Sequence, residues 1–261
     1  MKKTRHTKLN CEDLDRMKPY IHQDELSDQG LKIIQNYGIV YYAMEERTGK
    51  TLTAILTVEK SRANRCLIVT KKKALDGWID TLEARSNDGK EERKGWSAPT
   101  YNIRGKFFSV TNYHGLYTQH KVQKKIKGKM EMVTVQKLKP QYDGHNFDVV
   151  ILDESHAYLS AYPKTGAIAK IVQQICYDKP IILLSATPNA QGYQLLFHQL
   201  NMSKYSPFDK YENFYKWFNH YGIPEIVYTG HGQKIKYDTC KDEVWDKVKH
   251  LFITKTRAEL V

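Results

Sequence analysis

Seven residues limit what this chain can fold into more than any others. Glu45-Glu46-Arg47-Thr48-Gly49-Lys50-Thr51 follows an apolar run, Gly38-Ile39-Val40-Tyr41-Tyr42-Ala43-Met44, and leads into a helix-like pattern, Lys50-Thr51-Leu52-Thr53-Ala54-Ile55-Leu56. Between the run and the helix the chain has to turn sharply. A strand, a tight loop and a helix N-terminus in that order make a phosphate cradle. Backbone N–H groups and the positive helix end face the anion, a lysine reaches the β- and γ-phosphates, and a threonine hydroxyl binds Mg2+. Lys50 and Thr51 are the candidates for those two roles. The full pattern of such loops has a glycine where this chain has Met44, so a Gly-Lys-Thr that merely opens a helix stands as the alternative on this motif alone.

The rest of the chain narrows the choice. Its 261 residues, 41% of them hydrophobic, suffice to bury a sizeable core. Lys plus Arg number 41 against 29 Asp plus Glu, a formal net charge of +12. That excess points to a polyanionic partner, nucleic acid before an anionic membrane surface, with a merely basic soluble protein as the alternative. Cys11, Cys66, Cys176 and Cys240 are scattered, which suggests neither a zinc module nor a disulfide framework and fits a reducing cytosol. The basic N-terminus has no apolar core behind it, and no apolar run approaches the ~18 residues that span a membrane. The expectation is a soluble cytoplasmic protein with no membrane partner, acting in the host cytoplasm if the chain is viral.

Residues 1–20 read as a polar lead-in, and 21–261 as one domain. Apolar residues at Leu26, Leu31, Ile33, Ile34 and Tyr37 fall on one helix face that Gly38 terminates. Cys66 to Thr70 reads as a buried strand, and Leu75, Trp78, Ile79 and Leu82 mark another helix. Residues 86–100 read as a surface loop, with short strands at Tyr101–Ile103 and Phe107–Val110. Seven lysines and one glutamate lie between His120 and Pro140. They mark an insert, about 118–146, read as a hairpin with a basic tip at Lys124, Lys125 and Lys127. A solvated charged face and a nucleic-acid contact are both open for it. Phe147–Leu152 and Ile181–Leu184 are further buried strands with a helix between them. Strands alternating with helices, several apolar on both faces, give a mostly parallel sheet covered on both sides. The aromatic-rich tail after Ser203 reads as helical packing before a base-stacking platform.

Open parallel sheets bind ligands at the carboxyl ends of their strands. Three apolar runs end in chemically loaded residues there: the loop through Thr51, Asp153-Glu154, and Ser185-Ala186-Thr187. Hydrolysis of a nucleoside triphosphate needs a phosphate cradle, a carboxylate for Mg2+ and a group that orients the attacking water. Asp153 suits the second role and Glu154 the third. Solvated caps of the next helix are the bland reading of those two acids.

In order and spacing, Glu45–Thr51, Asp153-Glu154-Ser155-His156 and Ser185-Ala186-Thr187-Pro188 resemble the first three motifs of superfamily-two helicases and translocases, nearest the Snf-type and related phage and bacterial ATPases. In that family the first glycine is often missing. Leu67–Lys71 and Ser109–Tyr113 resemble the family's next two strand motifs, and Lys18–Gln23 the upstream segment whose glutamine reads adenine. The resemblance implies the N-terminal RecA-like P-loop NTPase domain, a three-layer α/β/α fold, with ATP and Mg2+ as ligands. It implies that Gln23, Arg47, Thr48, Gly49, Lys50 and Thr51 hold the nucleotide. Thr51 and Asp153 would hold the metal, and Glu154 would polarise water. His156, Ser185 and Thr187 would couple nucleotide state to nucleic-acid grip. Thr70, Lys71, Thr111 and Asn112 would touch one strand's phosphates, with DNA the expected polymer ahead of RNA.

These motors use two RecA-like domains, and the second supplies arginine fingers worth on the order of 10³–10⁵ in rate. No second-domain motif is visible here. The expectation is therefore a domain that works with a second one, in a longer protein or on a partner chain, and that hydrolyses ATP slowly alone. A regulatory module that binds nucleotide and nucleic acid without turnover is the rival. A small-molecule kinase is a third reading, but it gives the Asp-Glu-x-His and Ser-Ala-Thr-Pro boxes no task.

Overall fold

A computed structural model describes residues 18–86, 90–91, 98–126, 128–230 and 232–259. The first helix, α1, runs over Ile21–Tyr37 and ends on Gly38, whose left-handed backbone (φ 71°) returns its N–H to Ile34 O. A side chain there is excluded, because a Cβ would lie 2.3 Å from the Tyr205 ring. The chain then enters β1 (Ile39–Met44), turns through the loop, and forms α2 (Lys50–Lys60), β2 (Arg65–Thr70) and α3 (Leu75–Arg85).

Short strands β3 (Lys90–Glu91) and β4 (Thr100–Ile103) precede β5 (Lys106–Asn112), and later come β8 (Val149–Asp153), β9 (Ile181–Ser185) and β12 (Phe252–Lys255). These form one eight-stranded sheet in the order β12-β1-β9-β8-β2-β5-β4-β3. From β12 to β5 every pairing is parallel, and β4 and β3 add an antiparallel edge. Side chains alternate between two cores. Ile39, Tyr41, Val150, Leu152, Ile181 and Leu183 face one, while Val40, Tyr42, Met44, Ile151, Ile182 and Leu184 face the other. The second is covered by α1, α2 and α3 through Leu26, Ile34, Ala54, Ile55, Val58, Trp78 and Leu82. The first is covered by α5 (Ala167–Cys176), α6 (Leu196–Leu200), α7 (Phe214–Tyr221) and α8 (Glu243–Val248). The layered α/β/α arrangement expected from the sequence is the one observed.

The aromatic tail is packing, as expected: Phe208, Phe214, Trp217, Phe218 and Tyr221 are buried around Phe197. The lysine-rich insert is an antiparallel hairpin, β6 (Tyr117–Ile126) with β7 (Lys129–Leu138), outside the main sheet. Its tip residue Lys127 lies outside the described residues, as do residues 1–17 of the expected lead-in. The expected surface loop at 86–100 instead carries β3 and the start of β4, because β4 pairs with β5, and helix α6 was not foreseen either. Further elements give no signal in the sequence. They are the single-turn helix α4 (Ser155–Leu159), the exposed hairpin β10 (Glu225–Thr229) and β11 (Gly232–Lys236), and β12, which lies beside the strand of the phosphate loop. Among the described residues no helix is long and apolar enough to cross a membrane.

Helix α2 is pinned to α3 by a buried ion pair. Arg85 Nε and Nη2 donate to the Glu59 carboxylate, each at 2.8 Å, with side chains 7% and 4% exposed. In α6, burial holds His198 below the ordinary histidine pKa of 6.5, although a contact to Pro163 O (3.2 Å) pulls the other way. The folded state thus favours neutral His198, so the unfolded chain binds the extra proton. Stability is full above about pH 6.5 and falls as pH drops toward the lower folded-state value. His250 is lowered in the same direction. Denaturant titrations from pH 7.5 to 5 should therefore show falling stability, and His198→Gln should remove part of that dependence. An unchanged pH profile in the variant would refute it.

Candidate active site

The phosphate loop is built from two left-handed residues and one lysine. Arg47 has φ 62° and Gly49 φ 81°, and Gly49 caps α2. The turn is made within the loop, which leaves Met44 free to stay a core residue at 0% exposure. A Cβ on Gly49 would lie 1.9 Å from Gln23 Nε2, so only glycine lets the loop backbone close on this glutamine. The carbonyl oxygen of the nearly buried Gln23 side chain accepts from the Tyr20 N–H at 3.0 Å, which fixes its amide at the loop. Thr48 Oγ1 donates to Glu45 O (2.7 Å), and Lys50 Nζ donates to Met44 O (2.6 Å) and Glu45 O (2.7 Å). Burial pulls the Lys50 ammonium below its ordinary pKa, while Glu154 and Asp153 pull it back up. Thr51 occupies the first turn of α2.

The acid pair ends β8. Asp153 Oδ2 accepts from Thr70 Oγ1 (2.6 Å) and Trp78 Nε1 (2.9 Å), and Oδ1 from the Glu154 N–H (3.0 Å). Tyr113 OH, stacked on Tyr158, holds the Asp153 carbonyl at 2.8 Å. Glu154 itself is left-handed (φ 51°, ψ 41°), a conformation that costs a non-glycine residue of order 1–3 kcal/mol and collects at functional sites. Its carboxylate is ion-paired with Lys71, whose pKa is raised chiefly by that hydrogen bond, and lies 3.5 Å from His156 Nδ1. Magnesium takes few protein ligands and keeps water and substrate phosphate oxygens around it. An oriented carboxylate at Asp153 with a hydroxyl at Thr51 fits that demand.

His156 Nδ1 is 2.7 Å from Ser185 Oγ, which accepts from the Thr187 N–H at 3.0 Å. The second and third motifs are thus hydrogen-bonded to each other, and Glu154 lies 3.5 Å from the histidine that joins them. β1, β9 and β8 are adjacent, so all three boxes emerge side by side from one edge of the sheet.

The residues expected to meet nucleic acid have the following partners within the fold. Thr70 is fully buried with its hydroxyl on Asp153, and Thr111 is nearly buried and accepts from Tyr142 OH at 3.0 Å. Asn112 Oδ1 caps the next turn at Gly115 N (2.9 Å), and Lys71 faces Glu154. Thr70 and Lys71 thus bond to the acid pair, Thr111 and Asn112 bond within their own neighbourhood, and the exposed cations beside Lys71 are Lys72 and Lys73. Lys124 and Lys125 are exposed on β6, away from the main sheet.

Sequence reading missed three supports of the site. Trp78 read as part of a helix face and Tyr113 as the end of a strand motif, and their polar tips hold Asp153. Arg257 donates from its N–H to Glu45 Oε2 (2.9 Å) and from Nε to Glu46 O (2.8 Å), and lines a 420 Å³ cavity with Tyr20, His22, Gln23, Arg47, Thr48 and Gly49. Only the tertiary pairing of β12 with β1 brings Arg257 there.

With this geometry in view, similarity to known proteins can be stated. No curated protein sequence matches the chain. Two solved structures from Sulfolobus solfataricus share its fold. The SWI2/SNF2 ATPase core in complex with dsDNA superposes with a TM-score of 0.60 at 15% identity, over 91% of this chain and 44% of that one. The SWI2/SNF2 ATPase core domain gives 0.59 at 12% identity, over 92% and 44%. The chain thus spans less than half the length of either. The profile of the family described as "Type III restriction enzyme, res subunit" matches residues 16–190. The chain belongs to that family, and its fold is the RecA-like ATP-binding domain of a superfamily-two helicase or translocase.

Proposed function

We propose that this chain is the ATP-binding half of a DNA-dependent ATPase, a helicase or translocase that couples ATP hydrolysis to movement along DNA. The observation that carries the reading is the joined edge of β1, β9 and β8: the loop bearing Lys50 follows β1, Asp153 and Glu154 end β8, and Glu154 is tied through His156 to Ser185 at the end of β9. Lys50 would neutralise the β- and γ-phosphates, with Gln23 and Arg47 toward the base and Thr48 and Gly49 lining the cradle. Thr51 and Asp153 would hold Mg2+, which, when bound, offsets charge on the phosphate oxygens. Glu154, aimed by Lys71 and His156, would polarise the attacking water. His156, Ser185 and Thr187 would report nucleotide state to the polymer. DNA is favoured because the similar Sulfolobus core was solved with dsDNA, and the +12 net charge suits a polyanion. The partner it would need is a second RecA-like domain carrying arginine fingers, and the natural setting is a phage or bacterial cytoplasm.

ATP hydrolysis by the longest natural form of the protein, with and without duplex DNA, tests this reading. Turnover should rise with DNA and vanish in Lys50→Ala. Turnover indifferent to DNA, or untouched by the substitution, would end the motor assignment.

The β6–β7 register sharpens the role of the basic insert. Lys124 sits opposite Glu131 across the ribbon, whereas Lys121 and Lys125 share the other face with the exposed Met130 and Met132 and no acid. Reversing Lys121 and Lys125 to glutamate should weaken DNA binding and flatten log K against log salt by at least ~0.9 per lost phosphate contact, and Lys124→Glu should do less. An unchanged slope would make the hairpin a solvated ribbon.

A further inference from the structure

Behind the joined strand ends lies a buried polar cluster whose central residue belongs to none of the motifs. Its hub is Gln199 in α6, 0% exposed. The Gln199 side-chain oxygen accepts from Tyr41 OH at 2.6 Å and Ser155 Oγ at 3.0 Å. Its nitrogen donates to Pro188 O and Leu195 O, both at 2.9 Å. An amide oxygen accepts two hydrogen bonds and the amide NH2 donates two, so every bonding capacity of this side chain is filled. Tyr41 OH and Ser155 Oγ also lie 2.7 Å apart, and since each hydroxyl has one hydrogen, two of the three contacts among these groups are hydrogen bonds at any moment.

The segments joined here are telling. Tyr41 is on the strand that feeds the phosphate loop, Ser155 stands between Glu154 and His156, and Pro188 closes the Ser-Ala-Thr-Pro box. Apolar side chains of similar size would fill this core with no polar group to satisfy. A saturated network instead holds its members to one mutual arrangement, because any member that moves alone leaves a buried donor or acceptor without a partner. A shift of the Pro188 carbonyl therefore has to carry the Gln199 amide with it or break that bond. A rotation of the amide changes what Tyr41 and Ser155 meet.

We propose that Gln199 is a positioning residue that transmits displacement of the Ser185–Pro188 loop to Ser155 and Tyr41, and through them to the acid pair and the phosphate loop. This rests on the reading of the chain as an ATPase coupled to DNA. It assigns the coupling partly to a residue in α6, outside every motif.

The test uses linkage, which needs no turnover. The affinity of the longest natural form of the protein for a short mixed-sequence DNA duplex is measured with and without a non-hydrolysable ATP analogue and Mg2+. The ratio is the coupling factor, about 5–150-fold in coupled systems. Gln199→Glu keeps an acceptor for Tyr41 and Ser155 and loses the donor to Pro188. Tyr41→Phe keeps the donor side and loses the phenol. In each variant the factor should fall to within about twofold of unity, while analogue affinity without DNA stays within about threefold of wild type. A purely structural role would lower Tm and leave the factor intact, which would overturn the proposal. Should Gln199→Glu fail to fold, Tyr41→Phe decides alone. A wild-type factor of unity would instead remove the motor reading, and this inference with it.

Discussion

Lys50→Ala will reduce DNA-stimulated ATP hydrolysis by about 10²–10³-fold, the range seen when one preorganised donor to developing charge is removed. The ammonium is held at the loop by Met44 O and Glu45 O. Alanine keeps the helix N-terminus and the left-handed Gly49, so the cradle for phosphate survives in backbone form. The loss should therefore fall more on kcat than on nucleotide affinity, as expected of an interaction that strengthens in the transition state. Steady-state hydrolysis at saturating DNA measures the first and equilibrium titration of a fluorescent ATP analogue the second. A variant that loses affinity alone and keeps its kcat would place Lys50 outside the chemistry.

Arg85→Met will destabilise the fold by about 3–5 kcal/mol, because it strands the Glu59 carboxylate in a site that is 4% exposed. For a chain of this size that is roughly 10 °C in Tm. Arg104 Nη1 lies 3.5 Å from Glu59 Oε2, but Arg104 is 75% exposed and screened by water, so it compensates little. The double variant Glu59→Leu, Arg85→Met should recover most of the loss, since no buried charge is then left alone. Chemical denaturation of the two single variants and the double closes the cycle. A cost below about 1 kcal/mol for Arg85→Met would mean that the pair is wetter than its burial indicates. Since α2 starts at the phosphate loop and ends at this pair, a reduced nucleotide affinity should accompany the loss.

Most of the fold was legible because local signals agreed with tertiary need. α1, β1, α2, β2, α3, β8, α5 and β9 each carry an apolar period that matches their element, and Gly38 and Gly49 stand where left-handed turns are required. β12 was invisible because four residues, Phe-Ile-Thr-Lys, flanked by charges give no strand signal until β1 offers them a ladder. The convergence of Lys50, Asp153-Glu154 and Ser185 could be read from three strand ends, since strand order in a parallel sheet places such ends together. The fate of Thr70, Thr111 and Lys71 could not. Whether a hydroxyl or ammonium at a strand end turns outward or toward a neighbouring carboxylate depends on which strand packs beside it. Here β2 lies between β8 and β5, so Thr70 meets Asp153 across the first of those pairings. Gln199 and Arg257 carry no local signature at all, and their placement exists only in the assembled fold.

The position of β1 also bears on how the protein matures. Its two neighbours are β9 and β12, so Tyr41 is flanked by Leu183 on one side and Phe252 on the other. Both partners are synthesised long after the loop that follows β1, and contacts so distant along the chain form late because closing them removes much chain entropy. The Glu45 N–H is held by Lys255 O and its carboxylate by the Arg257 N–H. The cradle therefore takes its final shape only when the last strand has docked, and a nascent or C-terminally nicked chain has no finished cradle to offer. Nucleotide binding reports completion of the fold, and the same ligand stabilises the finished state in proportion to its concentration over its dissociation constant.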